Sequence, residues 1–503
     1  MQKRNLLIII LFLFTGTIGW SAERIWQNFD FDWQFRLGEQ GIYKPVQLPH
    51  DWSIELDFNE EVGPESGYLP GGIGYYKKDF NVPASYKGKR VSIVFDGIYH
   101  KATIYLNGQE VDYHRYGYTS FETDLTPYLK YGGKNTLSVK VDHSEKSRWY
   151  TGSGIYRHVW MQVTNPIHVK MWGTYITTPR VSAESAIVSC VTTVANTSAL
   201  TGEIEIMQRI VDAQGNLLKI NGKQYAARTE VVMPENGTKD IAQSFTLSNP
   251  QLWNLEKPYL YRLETILKQK GKVIDRYTTR FGVRTIGFDK DKGFFLNGKN
   301  IKMKGACLHQ DAGCLGVAVP NRSYERRLTI LKEFGANAIR CSHNPPSPEF
   351  LNYCDSIGFL VVDEAFDKWK SGYYEQFFDE CWQQDIRDMI VRDRNHPSIV
   401  LWSIGNELAE ATRKDNVGVE RATLLRDFVH KLEPTRPTML ALAPAYQDKF
   451  ASVTDVVGYN YSELSYIEDK KKHPERIGLI SESYPYYSGL RPYEARDYSP
   501  KNP

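Results

Sequence analysis

Two apolar runs of this chain each end on a glutamate. Ile399 to Glu407 reads as a buried strand finishing in Asn406-Glu407, and Ile477 to Glu482 as another finishing in Ser481-Glu482. A (β/α) barrel gathers the C-terminal ends of its strands around one pocket, so two such glutamates can face each other across it. Facing carboxylates are what hydrolysis of a glycosidic bond requires. In a retaining enzyme they stand about 5–5.5 Å apart; one protonates the leaving oxygen and later activates water, and the other attacks the anomeric carbon. The acid must carry its proton near neutral pH, which calls for an apolar wall or a negative neighbour. Glu407 follows the apolar Leu401-Trp402-Ser403-Ile404-Gly405 and suits the acid, with Asn406 beside it to bind a sugar hydroxyl. Glu482, between two serines, suits an ionised nucleophile.

Other polar residues close neighbouring runs in the same way. His343 and Asn344 follow Ala338 to Ser342, where the histidine is either a donor to sugar hydroxyls or an ordinary loop residue. Asp363-Glu364 ends Phe359 to Asp363, facing the pocket or paired with a nearby Arg or Lys. Tyr459, Asn460 and Tyr461 end another run and are read as hydrogen-bond partners of the nucleophile or substrate, or else as core and rim. Arg392 through Pro397 precedes the Glu407 strand and is assigned a folding role. Ser147-Arg148-Trp149-Tyr150, continuing to Arg157 with Gly152 and Gly154, is read as packing on the barrel, with the substrate rim as the alternative.

The elements that must position these residues change texture along the chain. Residues 1–21 read as an export signal: Lys3 and Arg4, the apolar Leu6 to Phe14, then Gly19 and Ser21 before Ala22. Residues 22–166 carry short alternating runs, with Asn107-Gly108 a hairpin signal, and predict a jelly-roll sandwich. Residues 167–285 predict an immunoglobulin-like sandwich without the Cys-Trp-Cys signature. Residues 286–503 alternate strand and helix, with helices at Ser323 to Phe334 (capped by Ser323), Phe378 to Arg394 and Val417 to Leu432. Seven strands in βα order favour a (β/α)8 TIM-type barrel that lacks its last strand, since the text after Glu482 holds no eighth apolar run.

Composition excludes several classes. Net charge is only +3, and no basic stripe appears, which argues against nucleic acid as a partner. The 11 Trp, 32 Tyr and 22 Phe suit sugar-binding faces and aromatic-rich β domains equally. Six cysteines show neither framework nor zinc spacing and are read as structural thiols. No Walker loop or dinucleotide-binding glycine pattern is present.

Together these segments resemble glycoside hydrolase family 2, the family of β-galactosidases and β-glucuronidases. The resemblance rests on Leu48-Pro49-His50-Asp51-Trp52, Ser147 through Arg157, Leu252-Trp253 with Pro258 to Tyr261, Ile339 through Pro345, Val361 through Ala365, and Arg392 through Glu407. It implies the order sugar-binding jelly roll, immunoglobulin-like domain and TIM barrel. It also implies Glu407 as acid/base and Glu482 as nucleophile of a retaining exo-β-glycosidase. Asn406, His343, Tyr461 and Glu364 would lie at the substrate, and Asp142 would reach the sugar from the first domain. A divalent or sodium cation near the acid/base is implied without named ligands. The substrate would be an oligosaccharide or glycoconjugate, met in the bacterial periplasm or outside the cell, with no membrane span once the signal is removed. Family members continue into an eighth strand bearing an aromatic wall. The expectation here is a truncated product with its catalytic residues present and its barrel open. β-Galactosidase leads, β-glucuronidase is second, and an inactive carbohydrate-binding remnant is the competitor from a different class.

Overall fold

The computed structural model describes residues 23–483 apart from 146, 221 and 222. The export signal and the segment after Ser483 lie outside the described residues. Among the described residues no helix is long and apolar enough to cross a membrane.

The first domain is a sandwich of six antiparallel strands, built around Gly72–Val82 and Gly133–His143, on a second sheet of four. Along Gly133–His143 every second residue is buried, the period of a strand with one wet face. Trp33, Tyr76, Phe95, Ile104 and Val139 fill the space between the sheets. Asn107 and Gly108, both at positive φ (54° and 85°), join Ala102–Leu106 to Gln109–His114, the backbone that a two-residue type I′ hairpin needs. The second domain packs a three-stranded sheet on a four-stranded one and buries Val188, Phe245 and Leu263 between them.

The third domain carries the parallel strands β1 (Gly305–Leu308), β2 (Ala338–Cys341), β3 (Leu360–Glu364), β4 (Ile399–Asn406), β5 (Thr438–Leu442), β6 (Val456–Asn460) and β7 (Gly478–Glu482), paired in that order. Helices α1 (Asn321–Glu333), α2 (Pro348–Ile357), α3 (Phe378–Asp393) and α4 (Val417–Leu432) follow the first four strands. A one-turn helix, Asp448–Ala451, follows β5, and α5 (Glu463–Lys472) follows β6. The expected cap on α1 is corrected: the helix starts at Asn321, directly after an extended Pro320, so Ser323 falls within its first turn and caps nothing. In α2 the pattern is complete. The Ser347 hydroxyl accepts from the Phe350 amide, Pro348 is the first helical residue, and Gly358 closes at φ +86°.

Inside the barrel the side chains form layers. Val362, Leu401, Met439 and Val456 make an apolar floor. Two residues further along the same strands stand Glu364 and Ser403, so the period-two alternation turns the interior polar at the C-terminal end. A small sheet beginning at Ile286–Asp289 covers the other mouth with Phe288 and Phe294. Among the described residues the barrel has seven strands, with β1 and β7 as its two edges. A cavity of about 300 Å³ lies between them, lined by Met303, Ala306, Leu479 and Glu482. The Cys307 thiol reaches the Ser481 carbonyl across it at 3.2 Å. All six cysteines are free.

Side chains of the Arg392 segment and the loop after α4 bind the three domains together. Asn395 accepts from the Ile176 amide at 2.9 Å and donates to the Thr174 carbonyl at 2.7 Å, completing an edge strand of the second domain. Arg392 donates to Ser120 in the first domain and to Pro346 in the barrel. Glu433, fully buried, takes Tyr175 of the second domain at 2.7 Å, Trp402 of β4 at 3.0 Å and Arg436 at 3.2 Å. Burial pushes the Glu433 carboxyl up, but Arg436 and the hydrogen bonds outweigh it and bring it down to about 2. Its ionised form is therefore favoured by the fold. The resulting stability is full above the ordinary carboxyl range and is lost as pH falls toward 2. Glu433→Gln should flatten the loss of stability between pH 5 and 2 by about 3 kcal/mol. Urea unfolding at several pH values measures this, and a profile identical to the wild type would contradict it.

Candidate active site

A lone arginine in an apolar strand organises the pocket. Arg340 faces the barrel interior from β2 and is 4% exposed. Its guanidinium donates to Glu364 Oε2 at 3.0 and 2.7 Å, to Glu482 Oε1 at 2.7 Å and to Asn406 Oδ1 at 2.9 Å. Burial alone would depress the arginine, but the carboxylates around it win and hold it above its usual value. Burial likewise pushes Glu364 up, and Arg340, His343 and Ser403 outweigh it, leaving the carboxyl below its ordinary range. The cluster is thus an ion network with its charges paired, as burial demands.

The two glutamates of the sequence reading meet above this layer. Glu482 closes β7, and its Oε1 accepts from Arg340 and from Asn460 Nδ2 at 2.9 Å. Its Oε2 accepts from the Tyr461 hydroxyl. Burial and that hydrogen bond raise Tyr461, so the phenol stays a donor. Glu407 stands one residue past β4 at φ +46°, a left-handed backbone that side chains rarely adopt. Its amide is held by the Ala441 carbonyl at 2.8 Å. Glu407 Oε1 lies 3.4 Å from Asn460 Nδ2 and Oε2 lies 3.2 Å from Arg148 Nη2. One amide nitrogen therefore reaches both carboxylates.

His343 Nδ1 meets Glu364 Oε1 at 2.7 Å, and its Nε2 stands 3.9 Å from Glu482. The ring also lines a second cavity of about 370 Å³ between the jelly roll and the barrel. Tyr99, Tyr116 and Trp149 form one wall of it, and Phe366, Asp367 and Lys368 another. Asp367 lies below the usual carboxylate range because Lys368, His343 and Arg148 outweigh its burial.

Several of the expected site residues are engaged within the protein. Glu364 is fully buried and engaged by Arg340, His343 and Ser403, which it holds in place. The Asn406 amide is likewise committed, donating to Asp367 at 3.0 Å and accepting from Arg340 and Asn460. Packing was favoured for the Ser147–Arg157 segment, yet it divides. Arg157 packs, donating to the Pro345 and Tyr118 carbonyls at 2.8 Å, while Arg148 reaches Glu407. Asp142 is engaged with Ser144 at 2.6 Å, and no described contact joins it to the cluster. The role of Arg340 was missed, although a single cation inside Ala-Ile-Arg-Cys is itself the signal, because a buried arginine needs acceptors. Asp367 and Lys368 left no such mark.

Among the described residues one group has metal-like spacing, Asp448, Asp469 and His473. Lys472 and Arg476 already sit on its carboxylates at 2.5 and 2.7 Å, so its charge is balanced without an ion.

Comparison with known proteins gives a consistent assignment. The sugar binding domain model of glycosyl hydrolases family 2 matches residues 31–166, the family's second domain residues 167–284, and its TIM barrel domain residues 289–482. A β-galactosidase of Bacteroides ovatus is 40% identical over 91% of this chain and 59% of its own length. A β-glucuronidase of Bacteroides fragilis is 30% identical over 97% of this chain and 72% of its own. A crystal structure of a glycosyl hydrolase family 2 member from Bacteroides cellulosilyticus has a TM-score of 0.86 at 39% identity, covering 91% of this chain and 61% of that one. The chain thus spans about three fifths of the first and third of these proteins. Three domain models in unbroken order, over a barrel with its carboxylates at the strand ends, mean that this chain belongs to glycosyl hydrolase family 2.

Proposed function

We propose that the chain is a retaining exo-β-glycosidase, acting first on β-galactosides, with Glu482 as nucleophile and Glu407 as acid/base. The observation that carries this reading is the Asn460 amide, 2.9 Å from one carboxylate and 3.4 Å from the other. It keeps their oxygens within about 6 Å, the spacing of double displacement and not the wider one that admits a water between them. Glu482 Oε attacks the anomeric carbon as the C–O bond breaks, and the Glu407 proton passes to the leaving oxygen. Water then gives its proton back to Glu407 while its oxygen displaces Glu482 from the sugar. Arg340, Asn460 and Tyr461 hold the nucleophile in place with three donors. The cavity between jelly roll and barrel adjoins the two glutamates through His343 and Arg148, and its aromatic walls suit the C–H faces of a sugar. Galactose leads because the B. ovatus relative is named a β-galactosidase, and glucuronate is second because the B. fragilis relative is named a β-glucuronidase. Export is proposed on the Lys3-Arg4 start and the apolar Leu6 to Phe14.

Hydrolysis of 4-nitrophenyl β-galactoside, β-glucuronide and β-glucoside by the full chain tests the reading. Turnover should be greatest on the galactoside and vanish in Glu482→Ala. Glu407→Ala should lose roughly 10²–10⁴-fold, and azide should restore its rate with a β-glycosyl azide as product. A folded chain inert toward all three sugars would instead be a carbohydrate-binding remnant. Arg340→Met should cost about 3–5 kcal/mol of stability, because two buried carboxylates lose their shared cation. Chemical denaturation checks this, and a loss below about 1 kcal/mol would contradict the ion network described for it.

A further inference from the structure

Arg148 belongs to the jelly-roll domain, yet its guanidinium ends on two carboxylates of the barrel. Nη1 meets both oxygens of Asp367 at 3.0 and 3.1 Å, and Nη2 meets Glu407 Oε2 at 3.2 Å. The guanidinium carbon stacks 4.6 Å from the Trp149 ring centre. Asp367 is itself fastened to the Asn406 amide at 3.0 Å and to Lys368 at 2.8 Å. A planar fork held on one side by a fixed carboxylate sets the position of whatever it holds on the other. The remaining described contact of the Glu407 carboxylate, to Asn460 at 3.4 Å, is long. The side chain is 40% exposed, but both carboxylates it joins are largely buried, at 17% and 18%.

We propose that Arg148 is a positioning residue for the acid/base: the jelly roll aims the Glu407 carboxylate and stabilises the negative charge that forms on it. The proposal rests on the reading of Glu407 as acid/base. As Glu407 gives its proton to the leaving oxygen it passes from neutral to anionic, so a fixed cation at 3.2 Å interacts more strongly with the transition state than with the ground state. The effect is felt only where the leaving group needs that proton.

The test compares Arg148→Ala and Arg148→Lys in the full chain on 4-methoxyphenyl and 2,4-dinitrophenyl β-galactosides. The alanine variant should lose roughly 30-fold in kcat/KM on the methoxyphenyl substrate, which needs the acid, and less than about 3-fold on the dinitrophenyl one, which does not. Lysine keeps the charge and loses the fork, so its loss should fall between, and it carries the test if the alanine variant no longer unfolds cooperatively. Mass spectrometry of labelling by 2,4-dinitrophenyl 2-deoxy-2-fluoro-β-galactoside should give the wild-type rate in both variants. Equal losses on the two substrates, a change in KM alone, or no change would each overturn the proposal while leaving the glycosidase reading intact. A wild-type chain that neither turns over nor becomes labelled would overturn both.

Discussion

Arg340 carries a charge into the middle of a barrel, and most of the site follows from how that charge is compensated. A guanidinium 4% exposed must find acceptors or it destabilises the fold. It finds three, from β3, β4 and β7, and these are elements far apart in the chain. Each acceptor is oriented by the same bonds that compensate the arginine. Glu364 in turn fixes the His343 ring, Asn406 carries Asp367, and Glu482 is turned toward the pocket. Removing any one acceptor therefore disturbs the others, the coupling expected of a shared network in a low-dielectric interior.

The second constraint is that the barrel does not build its pocket alone. Asp51 binds four groups, the Ser53 and Ser153 amides, the Tyr150 hydroxyl and the Val317 amide. That knot ties the first domain's loops to the segment after β1 and places Arg148 and Trp149 over the strand ends. Arg157 and Arg392 add donors to carbonyls on both sides of the same seam. Glu433 and Asn395 do the equivalent for the second domain. The first domain is thus part of the site's geometry, and the cavity wall of Tyr99, Tyr116 and Trp149 exists only because it docks.

Much of this was legible beforehand, for identifiable reasons. Period-two alternation marks Gly133–His143, and Asn107-Gly108 marks a hairpin, because both signals are local. Strands β3 and β4 are mostly apolar, as strands covered on both faces must be, and their polar last residues mark the pocket end. What failed was a helix boundary and the burial of a strand-end carboxylate. Ser323 was expected to cap α1, but the chain enters the helix two residues earlier, after Pro320. Glu364 sits at a strand end like Glu482, and sequence cannot tell that one is sealed beneath Arg340 while the other stands above it.

From its sequence alone this protein reveals its three-domain order, its run of βα units and the two glutamates at strand ends, since each is written in local pattern and in motifs along one stretch of chain. Tertiary structure decided which polar residues are buried supports and which face the cavity, because that depends on layer height inside the barrel. It also decided that Arg148, 259 residues from Glu407, shares a hydrogen bond with it. A contact between domains leaves no periodicity in either partner, so only the docked fold can express it.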